Sequence, residues 1–213
     1  MENKEITQAK QTFAKCTAFF YLETFKEIIE KMDDFDRMAF MGYELIDKKR
    51  FFEEFFTDER FDEIISTQKI IANDFSDSGN TPLSDEGERR LVDSRQTNKA
   101  IFHESARLIL FEEDDPISKL LSFISREFPG SLETMWDLSI DATNQKFVLT
   151  VQEARDLKNK FNNESFLDGV VHQSYVDNHL FKRLVDERFL SEEEFRNYVK
   201  TLALQTIDFY LNK

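Results

Sequence analysis

The sequence predicts an all-α protein, built as a compact bundle of about eight or nine helices. Its 213 residues include only five Gly and three Pro, whereas β-rich folds need many such residues for their tight turns. Apolar residues recur at spacings of three and four, as at Phe13, Cys16 and Phe20, which is the period of a helix that buries one face. The 23 Phe residues supply ample material for an aromatic core, unlike the composition of a disordered chain.

The first three helices are predicted over 5–32, 37–56 and 58–74. The acidic run 33–36 is a predicted turn between the first two. Thr57 suits the N-cap of the third helix, because its hydroxyl can accept a bond from an unpaired N–H of the first turn. The two acidic residues that follow it stabilise the positive end of the helix dipole.

Residues 73–82 (NDFSDSGNTP) are the strongest loop signal in the chain, since Asn, Asp, Ser, Gly and Pro all favour turns. The loop separates a predicted N-terminal helical part, 1–76, from a predicted C-terminal helical part, 82–213. We expect both parts to form one continuous domain.

The later helices are placed by prolines and capping boxes. Pro82 and Pro116 each suit the first turn of a helix, because the backbone N–H that proline lacks would have no partner within the helix there. Thr150 and Ser191 are each followed three residues later by Glu, which is the pattern of a capping box. Residues 141–146 are predicted as a polar connection. The remaining predicted helices span 82–112, 116–127, 131–140, 151–161, 165–189 and 192–211.

The charge balance excludes several classes of function. The chain has 42 acidic and 28 basic residues and a net charge of −14, so we expect no direct binding of nucleic acid, which needs clustered Lys and Arg. No apolar run approaches the roughly 18 residues of a membrane span. The single cysteine, Cys16, cannot form an intrachain disulfide and is expected to be buried. With no recognisable signal peptide, these features predict a cytoplasmic protein.

Motifs for catalysis are weak in this sequence. Its three histidines, His103, His172 and His179, do not have the spacing of zinc ligands. Its five glycines are too scattered to form a phosphate-binding loop, and no nucleophile motif of the GxSxG type is present. We therefore predict no catalytic residue and no cofactor, and we consider a non-enzyme the better interpretation.

One acidic pattern supports an alternative. Glu27 and Glu30 lie one helical turn apart, as do Glu44 and Asp47, so each pair projects from one helix face. If the two helices pair as a hairpin, the four carboxylates converge, and Mg²⁺ takes oxygen ligands of this kind. The simpler interpretation, which we favour, is two amphipathic helices with solvated acidic faces.

This ExxE…ExxD spacing resembles that of the all-α nucleoside triphosphate pyrophosphatases, the MazG-like and dimeric dUTPase group. The resemblance implies that the two acidic pairs hold Mg²⁺, which would orient a triphosphate for attack by water. It further implies that basic residues such as Arg95 and Lys99 meet the phosphates. The alternative function is therefore a Mg-dependent pyrophosphatase.

The preferred hypothesis is a non-catalytic protein that binds and neutralises a basic protein, such as one that itself binds nucleic acid. An acidic helical surface can occupy a basic groove, and electrostatic complementarity speeds association and selects the partner. Inhibitors, antitoxins, immunity proteins and phage anti-defence proteins share this physical character. The sequence leaves the oligomeric state and the partner's identity open. The predicted partner-binding residues are Asp33, Asp34, Asp36, Phe52, Glu53, Glu54 and Phe56.

Overall fold

The computed structural model describes residues 4–30, 57, 59 and 95–212. Within this part the chain forms eight helices and no strand, which confirms the all-α prediction. The helices are α1 (Lys4–Glu30), α2 (Arg95–Leu110), α3 (Pro116–Glu127), α4 (Ser131–Lys146), α5 (Val151–Lys160), α6 (Glu164–Asp177), α7 (His179–Asp186) and α8 (Glu192–Leu211).

The chain divides into two compact units. The first unit comprises residues 1–16, 80–89 and 133–213, and the second comprises 17–79 and 90–132. The first unit therefore takes the start of α1, most of α4 and all of α5 to α8, while the second takes the rest of α1 with α2 and α3. The predicted loop at 73–82 lies outside the described residues, so the division into 1–76 and 82–213 stays a prediction.

The first unit is organised around aromatic side chains. Phe13 of α1 meets Trp136 of α4 edge to face, with ring centroids 5.3 Å apart, and Trp136 lies 6.3 Å from Tyr198 of α8. Phe181 of α7 packs against Phe195 of α8 at 5.3 Å. Aromatic contacts of this kind add to the free energy gained by burying the rings. The expected aromatic core is therefore present in this unit.

A second cluster in the first unit joins α5, α6 and α8. Its buried members are Ala154, Phe161, Leu167, Ile207 and Tyr210. The hydroxyl of Tyr210 donates to the backbone carbonyls of Asn144 and Phe147. These bonds occupy carbonyls at the C-terminal end of α4, where the helix itself provides no partner.

The second unit also has an aromatic centre. Phe25 of α1 and Phe102 of α2 are both buried, and their rings lie 6.1 Å apart. The hydroxyl of Tyr21 donates to Oδ1 of Asn98 at 2.5 Å, which satisfies a polar group placed among apolar side chains.

Several predicted helix ends are confirmed. Asp115 is the N-cap of α3, with Pro116 in its first turn, and Gly130 between α3 and α4 adopts a φ of 86°. Complete capping boxes begin α5 at Thr150 and α8 at Ser191. Helices α1, α3, α5 and α8 each begin and end within two residues of the predicted limits.

The predicted connection at 141–146 is wrong, because α4 continues to Lys146. Its polar residues do not end the helix because tertiary packing outweighs their weak helix propensity. Ala142 and Asn144 are both buried, and the hydroxyl of Thr143 donates back to the carbonyl of Ser139 at 2.8 Å.

The single predicted helix at 165–189 is also wrong, since the chain breaks into α6 and α7 at Asn178. Asn178 has an extended backbone and caps α7, because its side-chain oxygen accepts from the N–H groups of Leu180 and Phe181. Asparagine favours this position since its side chain replaces a missing helical bond. Helix α7 ends at Asp186, three residues before the predicted limit.

Candidate docking surface

Exposed acidic side chains dominate the described part of the first unit, twelve against five basic ones. The acidic set is Glu5, Glu133, Asp137, Glu153, Asp156, Glu164, Asp168, Asp177, Asp186, Glu187, Glu192 and Glu193, and the basic set is Lys4, Arg155, Lys160, Lys182 and Arg188.

Several further basic side chains are half-buried and held in ion pairs. Lys15 binds Glu194 at 3.1 Å, and Arg196 of α8 binds both Glu164 and Asp168 of α6. These basic side chains form ion pairs within the unit, and each pair joins one helix to another. Three of the exposed acids, Glu164, Asp168 and Glu187, are themselves paired with Arg196 or Arg183. The remaining nine still outnumber the five exposed basic residues, so the described surface of this unit has an excess of negative charge.

The turn between α7 and α8 concentrates this negative charge. Nine consecutive residues, 186–194 (DERFLSEEE), include five acidic ones. Phe189 lies among them and its side chain is 43% exposed, while Leu190 beside it is buried. We define the α7–α8 corner as Tyr175, Asp186, Phe189, Glu192 and Glu193.

The backbone of the corner is fixed by a Schellman motif at the end of α7. The N–H of Phe189 donates to the carbonyl of Leu184 at 3.0 Å, and the N–H of Arg188 donates to that of Val185 at 3.0 Å. Arg188 has a φ of 62°, the left-handed conformation that usually requires Gly at this place. The turn therefore directs the chain into α8 at a fixed angle, although no Gly marks it in the sequence.

A hydrogen bond joins α6 to the corner. The hydroxyl of Tyr175 donates to Oδ1 of Asp186 at 2.6 Å. This bond, together with the negative charges of Asp186 and Glu192, raises the pKa of Tyr175 above its ordinary value. The bond from Tyr175 joins the C-terminal part of α6 to the end of α7.

The first turn of α8 orients its three glutamates differently. Glu194 turns inward, since its carboxylate accepts from the Ser191 N–H at 2.9 Å and from Lys15 Nζ at 3.1 Å. These bonds lower the pKa of Glu194, the backbone bond from Ser191 having the largest effect. Glu192 and Glu193 are exposed, and no ion pair within the described part of the chain includes them.

A second exposed apolar strip lies between α4 and α5. Phe147 is 50% exposed and Val148 is 87% exposed, with Val151 behind them. Helix α5, which follows this strip, carries three basic residues and two acidic ones. The surroundings of Phe147 and Val148 therefore differ in charge from those of Phe189 in the α7–α8 corner.

The buried thiol of Cys16 is not a candidate nucleophile. Its side chain is fully buried, as predicted, and burial raises the pKa of the thiol well above its ordinary value. A protonated thiol is a poor nucleophile, and this cysteine acts as a small apolar residue of the core.

The predicted site residues lie mostly outside the described residues. This applies to Glu44 and Asp47 of the acidic pattern and to every residue predicted to bind the partner: Asp33, Asp34, Asp36, Phe52, Glu53, Glu54 and Phe56. Glu27 and Glu30 belong to α1, but their side chains also lie outside the described part. All of these assignments stay predictions.

The α7–α8 corner was not predicted as a site. Its sequence signal is the run of five acids around an aromatic residue at 186–194. Placing 186–189 inside one long helix concealed that signal, because Phe189 would then lie on a regular helix face. The exposure of the ring follows only from the turn at Arg188.

Searches of the described residues and comparisons with other proteins add no function. In those residues, no group of three or more His, Cys, Asp or Glu side chains is arranged to hold a metal ion. Of the described helices, none is both long and apolar enough to span a membrane. No protein family, curated protein or solved structure matches the chain.

Proposed function

We propose that this chain binds a basic protein through its acidic surface and thereby neutralises it, without catalysing a reaction. The observation that carries this proposal is the excess of exposed carboxylates over exposed cations on the first unit. Charges of one sign on a compact surface raise the local concentration of an oppositely charged partner and speed its association.

The internal ion pairs support the proposal. Lys15, Lys158 and Arg196 are held by carboxylates of neighbouring helices, so the two charges of each pair largely balance one another. Glu192 and Glu193, by contrast, are exposed at the start of α8. A basic groove approaching α8 would meet unscreened negative charge at distances shorter than the Debye length of about 8 Å at physiological salt.

The test is capture of the partner from the native host by the full chain, followed by measurement with the purified partner. We expect a basic protein whose affinity falls at least about tenfold between about 0.05 M and 0.3 M NaCl. We also expect the partner's own activity to be blocked by a stoichiometric amount of the chain. Affinity independent of salt, or a captured partner whose activity is unchanged, would contradict the proposal.

A further inference from the structure

Phe189 is 43% exposed, and along the chain it lies between the exposed acids Asp186 and Glu192. Asp186 and Glu192 are each three residues away, so their Cα atoms lie within about 11 Å of that of Phe189 even if the chain were fully extended. A partly exposed ring close in sequence to exposed acids differs from an ordinary solvated face, because it offers both a surface for packing and charges for pairing.

We propose that the α7–α8 corner is the docking surface for an arginine-rich segment of the basic partner. This inference rests on the proposed function and specifies which chemistry the partner presents. An arginine guanidinium stacks on the Phe189 ring, and the carboxylates of Asp186 and Glu192 accept its N–H groups.

Arginine fits this surface better than lysine. The guanidinium is planar, is weakly hydrated and stacks on aromatic faces, and it can give two parallel hydrogen bonds to one carboxylate. The lysine ammonium is compact and strongly hydrated, and it acts as a point charge. Exposed carboxylates attract both cations, and the ring adds a stacking surface that favours the guanidinium beyond its paired hydrogen bonds.

Charge complementarity favours this corner over the strip at Phe147 and Val148. That strip is more exposed, but the helix that follows it has three basic residues against two acidic ones. The segment 186–193, which contains every residue of the corner except Tyr175, has four acidic residues and one basic residue, Arg188. A cationic segment is therefore attracted to the corner and gains little at the strip.

The corner is held in place before any partner binds. The Schellman motif fixes the turn, the Ser191 capping box fixes the start of α8, and Phe181 packs against Phe195 and Tyr198 beneath it. A surface that is already ordered loses less conformational entropy on binding, so its contacts contribute more fully to affinity.

The experiment compares two labelled peptides of equal charge, nona-arginine and nona-lysine, binding to the full chain in low salt. We expect the wild-type protein to prefer nona-arginine by about two- to fivefold. Phe189→Ala should clearly reduce this preference, and the part that remains comes from the paired hydrogen bonds to the carboxylates. Phe147→Ala, which deletes an exposed ring of the other apolar strip, is the matched control and should leave the preference unchanged.

The carboxylates are tested separately with Asp186→Asn and Glu192→Gln. Each substitution should lower the affinity for both peptides, which would support the site independently of Phe189→Ala. Equal binding of both peptides, or a preference of the same size in Phe189→Ala as in wild type, overturns the arginine-specific surface while leaving the proposed function intact. Unchanged affinity in both amide variants places the docking surface elsewhere. If neither peptide binds the wild-type protein, the proposed function is contradicted as well.

Discussion

Replacing Ser191 by Ala tests the capping box that orders the start of α8. In the structure the Ser191 hydroxyl accepts from the Glu194 N–H at 3.2 Å, and the Glu194 carboxylate accepts from the Ser191 N–H at 2.9 Å. The Ser191 hydroxyl also donates to the Glu194 carboxylate at 2.9 Å. The substitution removes both bonds of the hydroxyl and leaves the bond from the Ser191 N–H. Ser191 is exposed, so water replaces the lost partner, and we expect a loss of about 1 kcal/mol, within the usual range for N-caps.

The assay is urea unfolding followed by the fluorescence of Trp136, which is the only tryptophan and lies buried in the same unit. With a denaturant slope of about 2.5 kcal/mol/M, a loss of 1 kcal/mol lowers the midpoint by about 0.4 M. Ser191→Thr keeps the hydroxyl and should shift the midpoint far less. Thr150→Ala removes the equivalent cap of α5 and should cost a similar amount.

The reasoning is refuted if Ser191→Ala unfolds at the wild-type midpoint while Thr150→Ala does not. That result would mean that the Glu194 side chain and its bond from Lys15 hold the first turn without the serine. A double replacement, Ser191→Ala with Glu194→Gln, would then show whether the two side chains act as one unit.

Three further predictions concern the same unit and the alternative function. The pKa of Glu194 is lowered in the folded state. The ionised Glu194 therefore stabilises the fold above the unfolded-state pKa of about 4.5, and this contribution is lost as the pH falls through the folded-state pKa. The difference in urea midpoint between wild type and Glu194→Gln should shrink from pH 7 to about pH 3, and a constant difference would contradict this. Arg188→Gly relieves a left-handed backbone that costs about 1 kcal/mol, so it should raise the urea midpoint. It also removes a cation next to the corner, so it should raise the affinity for nona-arginine. A lower midpoint would show that the greater freedom of Gly in the unfolded chain dominates. If the chain is a pyrophosphatase, it should release pyrophosphate from nucleoside triphosphates in the presence of Mg²⁺, and Glu44→Gln and Asp47→Asn should each abolish this activity. Unchanged activity in both variants would exclude the acidic pattern as the metal site.

Local signals in the sequence predicted much of the helical layout. Thr150 and Ser191 are each followed by a Glu at the third position, and this short-range chemistry specifies a helix start regardless of the rest of the fold. Pro116 acts in the same way, because its ring is compatible only with the first turn or with a break. The corresponding helices begin where these residues predict.

Features that depend on tertiary packing could not be predicted in this way. The continuation of α4 through Asn144 depends on burial and on the hydroxyl of Tyr210, which lies 66 residues away in the sequence. The turn at Arg188 has no glycine to indicate it, so the left-handed conformation is visible only in the structure. The exposure of Phe189, and with it the candidate surface, follows from that turn.

The assignment of α1 to both compact units limits how the protein can be dissected. A cut near residue 16 or 17, where one unit gives way to the other, would sever a 27-residue helix and take Phe13 away from Trp136. Each unit also draws on stretches far apart in the sequence, so no single contiguous fragment reproduces either one. Interaction mapping by serial truncation would therefore report lost folding as lost binding, and point substitutions in the intact polypeptide are the sounder route.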